Sequence, residues 1–188
     1  FGSIINSFET HNNKNAFCIK EVYYTYQQLE AYTVAISEEI IKKLPSNEKL
    51  VGVIAVDDIL TYATILAVMF NGKAYVPINP LYPPFRNVLI IKEAGVKTVV
   101  SAVDKKQTID YCGVDNFNYF NSNIKSNFTK FSYNEFISDD TLVYILFTSG
   151  STGVPKGVPI SRSNLFAFCD AFLNLENTSL VFLGKGIM

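Results

Sequence analysis

The sequence predicts an α/β fold: a largely parallel sheet with helices on both faces. Residues 50–56 (LVGVIAV) form a continuous apolar run rich in β-branched side chains, which is typical of a parallel strand covered on both faces. Over residues 58–101, short helical patterns alternate with further apolar strand patterns. These two observations indicate consecutive βα units, in which each helix returns the chain to the same edge of the sheet.

The composition indicates one globular domain with a small-molecule partner. The 188 residues are 48% hydrophobic and 14% aromatic, which is enough for a buried core. Because 16 basic and 17 acidic residues leave a net charge of -1, we expect neither nucleic acid nor a membrane as a partner. The longest apolar run, residues 59–70, is shorter than the roughly 20 residues that cross a bilayer.

The cysteines are widely spaced along the chain, at Cys18, Cys112 and Cys169, and His11 is the only histidine. Without a CxxC pair or a second histidine, no zinc site is expected. Cysteines used in this way are typical of a reducing compartment, so we expect a cytoplasmic chain.

The first half of the chain has clear helix boundaries. Thr25 and Gln28 have the spacing of a capping box, and a helix that ends before Pro45 is expected after them. Its apolar positions recur at helical intervals: Leu29, Tyr32, Ile36, Ile40 and Leu44. Asp58 is placed to cap the next helix, and Asn71 with Gly72 ends it because both residues tolerate a left-handed backbone.

The middle of the chain continues the alternation. Residues 74–78 (AYVPI) are expected to form a short strand, which Pro77 places near an edge of the sheet because proline cannot donate to a ladder. The proline-rich residues 79–84 are expected to be irregular. A helix over residues 86–94, which Gly95 stops, and a strand over residues 97–101 follow.

Regular patterns weaken and then return towards the end of the chain. Residues 115–134 indicate a loop-rich connection with one weak strand near residues 117–120. Residues 141–148 (TLVYILFT) predict a strand that runs directly into a glycine-containing loop. A short strand over residues 158–160 and a helix over residues 163–175 are expected after it.

The loop after that strand has a composition that suits polyphosphate. Residues 148–157 (TSGSTGVPKG) bring together four hydroxyls, three glycines and one lysine. Glycines let backbone N–H groups approach an anion, hydroxyls donate hydrogen bonds, and the lysine adds positive charge. The spacing is neither that of a P-loop nor GxGxxG, and composition alone favours an inert, flexible Ser/Gly surface loop over a phosphate site.

Residues 144–165 (YILFTSGSTGVPKGVPISRSNL) closely resemble the signature of the adenylate-forming superfamily, which includes acyl-CoA synthetases and peptide-synthetase adenylation domains. Residues 24–29 (YTYQQL) and 71–83 (NGKAYVPINPLYP) resemble two further motifs of that family, and Arg86 also fits. The motif of residues 71–83 looks most like that of the amino-acid-activating branch, which includes the D-alanine carrier-protein ligases.

This resemblance implies an activity and its cofactors. Family members join a carboxylic or amino acid to the α-phosphate of ATP with Mg2+, release pyrophosphate, and pass the acyl group to a thiol, commonly on a phosphopantetheinyl carrier protein. It implies that Lys156 neutralises part of the pyrophosphate and that six residues wrap the β- and γ-phosphates: Thr148, Ser149, Gly150, Ser151, Thr152 and Gly153. We expect Tyr75, Pro77 and Tyr82 to serve in packing and turns.

The sequence departs from the family pattern in several ways, and these departures limit the activity expected of this chain. Arg162 stands where many relatives carry a histidine near the acyl pocket, and Asn79 stands where an aspartate is usual. Members of the family are much longer, so residues 1–188 are expected to be an incomplete N-terminal portion without the C-terminal subdomain and its catalytic lysine. Because an interrupted sheet leaves apolar surface uncovered, we expect the isolated chain to be only marginally stable. A truncated, non-catalytic module that binds ATP phosphates or a protein stays open as the alternative.

Overall fold

The computed structural model describes residues 2–123, 137–149 and 154–178. Eight strands and six helices are assigned there. In chain order the elements are α1 (Gly2–Thr10), β1 (Asn15–Ile19), β2 (Val22–Thr25), α2 (Tyr26–Lys43), β3 (Leu50–Ile54), α3 (Ile59–Phe70), β4 (Ala74–Ile78), α4 (Pro84–Ala94), β5 (Thr98–Ser101), α5 (Lys105–Cys112), β6 (Asn118–Asn121), β7 (Leu142–Thr148), β8 (Lys156–Ser161) and α6 (Arg162–Thr178).

The main sheet has six strands in the order β6-β5-β3-β4-β7-β8. Five of these strands run parallel, and β8 alone pairs antiparallel with its neighbour β7. The hairpin of β1 and β2 forms a separate two-stranded sheet, whose turn residues Lys20 and Glu21 both have positive φ. The predicted fold class, a largely parallel α/β sheet, is confirmed.

Helices cover both faces of this sheet. On one face, α2, α3 and the strands share a core that includes Ile36, Ile40, Val68, Val53 and Val100. On the other face, α4, α5 and the strands share a core that includes Ile90, Ile91, Cys112, Ile54 and Val99. Neighbouring residues such as Val53 and Ile54 belong to different cores because successive side chains of a strand point to opposite faces.

The helix boundaries that the sequence predicts are confirmed where capping residues define them. The Thr25 side chain accepts the Gln28 N–H at 3.2 Å while the Gln28 side chain accepts the Thr25 N–H at 2.8 Å, a reciprocal capping box. The Asp58 carboxylate accepts the Thr61 N–H at 2.7 Å. Gly95 closes α4 in the left-handed conformation with φ 65°.

The edge position predicted from Pro77 is wrong, because β4 lies inside the sheet between β3 and β7. The ladder to β3 runs the length of the strand, from Leu50↔Ala74 to Ile54↔Ile78. The ladder to β7 contains the single pair Tyr75↔Tyr144. Pro77 lies beyond that pair, so the N–H that proline lacks is not required by a second ladder.

Two regions of the chain are more regular than their sequence indicates. Helix α5 is not predicted, although Asp104 caps it through the Gln107 N–H at 2.9 Å and Gly113 ends it with φ 70°. The weak strand near residues 117–120 is present as β6, where it pairs parallel with β5 at the edge of the sheet. Residues 124–134 of the expected loop lie outside the described residues.

The buried thiol of Cys112 predicts a specific pH dependence. Burial raises its pKa to about 12 from an ordinary value of 9.0. Because the folded state holds this proton more tightly than the unfolded state, the stabilisation is complete below pH 9.0 and is lost as the pH rises towards 12. The difference in free energy of unfolding between wild type and Cys112→Ala should therefore shrink by about 1.4 kcal/mol per pH unit above that value.

Urea titrations of both proteins, below and above the ordinary pKa of the thiol, measure this difference. Because both proteins contain the same tyrosines and lysines, the contributions of these residues to the pH dependence cancel in the difference. A difference that stays constant across the range would contradict the assignment.

Candidate functional site

The described ends of the predicted phosphate loop, Thr148–Ser149 and Lys156, lie at the carboxyl edge of the parallel sheet. Strands β3, β4 and β7 run in the same direction, so the segments that follow them leave the sheet at one edge. Ile54 pairs with Ile78 in the register of β3 and β4. Continuing the parallel register of Tyr75↔Tyr144 along β4 and β7 brings Asn79 level with Thr148.

The chain leaves β3 and β4 towards opposite faces of the sheet. Helix α3, which follows β3, packs in the first core, whereas α4, which follows β4, packs in the second. Two adjacent parallel strands whose connections diverge in this way leave a crevice between them at their carboxyl ends. In open α/β sheets this is the usual place for a ligand.

The described part of the loop is the base of a β-hairpin. Thr148, the last residue of β7, pairs across the ladder with Lys156, the first residue of β8. The Thr148 hydroxyl also donates to the Lys156 carbonyl at 3.4 Å. The structure thus brings Thr148, Ser149 and Lys156 together with exposed side chains, whereas the other predicted phosphate-binding residues lie outside the described part of the chain: Gly150, Ser151, Thr152 and Gly153.

Gly157 belongs to the strand rather than to the loop. A Cβ atom at this position would lie 3.0 Å from Cγ2 of Ile145 and 3.1 Å from Cζ of Phe147. Phe147 is the cross-strand partner of Gly157, so the missing side chain makes room for its ring. Sequence reasoning counted this glycine with the loop because a local pattern does not show which strand lies opposite.

The segment after β4 forms the neighbouring wall of the edge. Asn79 turns the chain, since its side chain accepts the Leu81 N–H at 2.9 Å. The Arg86 guanidinium stacks over the Tyr82 ring at 4.4 Å from its centre. Tyr75 packs against Tyr144 with ring centres 5.5 Å apart, and burial first, then the neighbouring Tyr144, raises the Tyr75 pKa to about 12. Its hydroxyl therefore stays protonated at neutral pH.

Arg162, where many relatives carry a histidine, is tied to the segment before β7. Its guanidinium donates to the Ile137 carbonyl at 2.6 Å and lies 3.6 Å from the Asp139 carboxylate. The same side chain lies over the Phe166 ring at 5.1 Å. These contacts hold the start of α6 against the entry to β7, a structural role that the sequence does not indicate.

The described residues of this edge are suited to an anion. They offer the hydroxyls of Thr148 and Ser149 and the ammonium group of Lys156 at the base of a hairpin, groups that can bind negative charge through hydrogen bonds and electrostatics. Within residues 2–123, 137–149 and 154–178 there is no group of three His, Cys, Asp or Glu placed to hold a metal ion. None of the helices in those ranges is long and apolar enough to span a bilayer.

Comparison with known families assigns the chain. The family model described as AMP-binding enzyme matches residues 6–184, nearly the whole sequence. The chain belongs to the AMP-binding enzyme family. The match includes the complete motif of residues 148–156 and the three strands that form the carboxyl edge. The resemblance inferred from the motifs is thereby confirmed.

Relatives of this AMP-binding chain include carrier-protein ligases and peptide synthetases. It is 28% identical over 168 residues to the D-alanine–D-alanyl carrier protein ligase of Lactococcus lactis strain IL1403, covering 86% of the chain and 34% of the ligase. It is also 31% identical over 139 residues to bacitracin synthase 1 of Bacillus licheniformis, covering 73% of the chain and 2% of the synthase. The chain thus spans about a third of the ligase and a small part of the synthase.

A solved peptide synthetase shares the fold. The chain matches FmoA3 (S1046A) in its α-methyl-L-serine-AMP bound form with a TM-score of 0.71 and 18% identity, over 86% of this chain and 18% of that one. At this identity the match supports the fold of the AMP-binding chain and nothing further.

Proposed function

We propose that this chain holds the phosphates of ATP in an enzyme that adenylates a carboxylic acid, most specifically an amino acid. The observation that carries the proposal is the β7–β8 hairpin, which presents Thr148, Ser149 and Lys156 at the carboxyl edge of the sheet. Family membership supports the nucleotide, and relatives that are D-alanine carrier-protein ligases and peptide synthetases support an amino acid.

In the proposed reaction a carboxylate oxygen attacks the α-phosphorus of ATP. The bond between the α-phosphorus and its bridging oxygen breaks, and the leaving group is pyrophosphate. Thr148 and Ser149, with Gly150, Ser151, Thr152 and Gly153, would hold the β- and γ-phosphates, and Lys156 would offset charge that develops on the leaving group. Mg2+ would share that task, and the acyl group would then pass to a thiol such as phosphopantetheine on a carrier protein.

The proposal assigns a limited share of the reaction to this chain. We propose that residues 1–188 form the N-terminal portion of the family domain. The pocket for the acyl group and the family's catalytic lysine would then lie in the two thirds of the ligase that the alignment does not reach. We therefore assign no catalytic residue within this chain.

Competition between ligands tests the phosphate part of the proposal. Calorimetry should show binding of Mg-ATP, and Mg-pyrophosphate at ten times its own Kd should weaken the apparent ATP affinity about tenfold. Adenosine should leave the ATP affinity unchanged, because the residues of this edge recognise phosphate and not base. Competition by adenosine without competition by pyrophosphate would overturn the proposal.

The carboxylate part needs a second measurement. Amino-acid-dependent exchange of pyrophosphate into ATP by the full translation product of the gene tests whether an acyl-adenylate forms. Exchange with none of a panel of amino and aryl acids, alongside retained ATP binding, would instead support a non-catalytic module that binds ATP phosphates.

A further inference from the structure

Asn87 is a fully buried polar side chain in the first turns of α4. Its amide nitrogen donates two hydrogen bonds of 2.8 Å, one to the Asn79 carbonyl and one to the Tyr111 carbonyl. The first acceptor lies directly after β4 and the second lies in α5. One side chain therefore ties the carboxyl edge of the sheet to two helices on its second face.

The hydrogen bond from Asn87 to the Asn79 carbonyl joins the turn that begins at Asn79 to helix α4. Within the turn, the Asn79 carbonyl accepts the Tyr82 N–H at 3.1 Å and the Asn79 side chain accepts the Leu81 N–H at 2.9 Å. Those bonds define the shape of the turn. The bond from Asn87 instead determines where the turn stands relative to α4 and α5.

Apart from the Arg86 guanidinium over the Tyr82 ring, the surroundings of this turn offer little else to hold it. The ladder between β4 and β7 consists of the pair Tyr75↔Tyr144, so it ends before Asn79 is reached. Leu81 is 89% exposed and Phe85 is 68% exposed, so burial of their side chains contributes little to its position. The Asn87 amide, with the Arg86–Tyr82 contact, is thus a principal constraint on the segment that the continued register of Tyr75↔Tyr144 places beside Thr148.

The value of an asparagine at this buried position lies in its donor group. Other buried positions of α4 carry apolar residues, namely Ile90 and Ile91. The Asn87 side-chain oxygen is buried and has no hydrogen-bond partner among the described residues. A buried acceptor left unpaired is unfavourable, and an apolar side chain of similar size would remove this cost only by leaving the Asn79 and Tyr111 carbonyls without the Asn87 donor.

We propose that Asn87 is a positioning residue for nucleotide phosphate binding. By holding the Asn79 carbonyl, it places the wall formed by residues 79–83 beside the hairpin that carries Thr148 and Lys156. This inference rests on the proposed function, because the wall matters only if phosphates bind at that edge. Asn87 acts through the position of Asn79 and does not touch the nucleotide.

The test compares Asn87→Leu with Thr108→Val. Leucine has a similar volume but removes both hydrogen-bond donors. The variant should bind Mg-ATP about tenfold more weakly, because a misplaced turn is expected to cost about one hydrogen bond to the phosphates. Thr108 is also fully buried, but its hydroxyl donates within α5, to the Asp104 carbonyl at 2.8 Å. Thr108→Val should therefore lower stability while ATP affinity changes by less than about twofold.

A second readout follows the turn directly and does not depend on nucleotide. Hydrogen exchange of the Leu81 and Tyr82 amides, measured by NMR without ATP, should be faster in Asn87→Leu and unchanged in Thr108→Val. If Asn87→Leu fails to fold, Asn87→Ala removes the same two donors with a smaller side chain, and about fivefold weaker ATP binding is expected.

The outcomes separate this inference from the proposed function. If the wild-type chain binds ATP and Asn87→Leu binds it equally well, the positioning role is overturned and the proposed function stands. Unchanged amide exchange in Asn87→Leu also overturns it, whether or not ATP binds. If the wild-type chain does not bind ATP, the proposed function and the nucleotide role fall together, and amide exchange alone decides whether Asn87 holds the turn. Unchanged affinity in Asn87→Ala would equally count against the role.

Discussion

Lys156→Ala is expected to weaken Mg-ATP binding by about ten- to a hundredfold, the value of one or two charge-assisted hydrogen bonds. Lys156 is the first residue of β8 and its side chain is exposed beside Thr148. The backbone ladder at this position does not need the side chain. The thermal midpoint of the variant should therefore remain close to that of the wild type while the affinity measured by calorimetry falls.

Lys97→Ala is the matched control for this prediction. Lys97 is an exposed lysine that immediately precedes β5. It therefore lies at the amino ends of the parallel strands, away from the carboxyl edge that carries Lys156. Its replacement removes the same charge from the chain, so any general attraction of the nucleotide changes equally in both variants. An equal loss of affinity in Lys156→Ala and Lys97→Ala would mean that Lys156 has no specific contact with the phosphates.

Ile40→Ala is expected to lower the free energy of unfolding by about 2–5 kcal/mol. Ile40 has no exposed surface and belongs to the core that joins α2 and α3 to the sheet. Truncation removes buried methyl groups and leaves a cavity that neighbouring α3 and the sheet restrict from closing. Urea unfolding followed by circular dichroism measures the loss.

The adjacent residue provides a control in the same helix. Ile41 has the same side chain but is 66% exposed. Ile41→Ala makes the same chemical change and also favours the helix through the higher propensity of alanine, so the change should stay within about 0.5 kcal/mol. Similar losses for the two variants would show that the described orientation of α2 is wrong.

Much of the fold could be predicted because its signals are local. The capping box of Thr25 and Gln28 and the Asp58 cap need only residues within one turn of a helix. The apolar run that begins at Leu50 indicates burial on both faces whatever its neighbours are. Helix α5 escaped prediction because only Asp104 and Gly113 define its ends, and it buries little between them.

The candidate site was predictable in part. The motif of residues 148–156 and its resemblance to a family required no structure. The structural roles of Arg162, Gly157 and Asn87 could not be predicted, because each depends on a partner far along the chain or across a ladder. Arg162 bonds to Ile137, and Gly157 accommodates Phe147.

The sequence by itself determined most of the helices and strands after residue 25, the α/β class, the family and the segment expected to hold phosphate, because these depend on periodicity, capping and a continuous motif. Only the tertiary structure decided that β4 lies inside the sheet despite Pro77, and that Tyr75 pairs with Tyr144, the register that points Asn79 towards Thr148. Strand order and register arise from packing between distant segments. The local sequence of a strand does not show which other strand will lie beside it. The candidate site lies where neighbouring strands end, so its composition depends on that strand order.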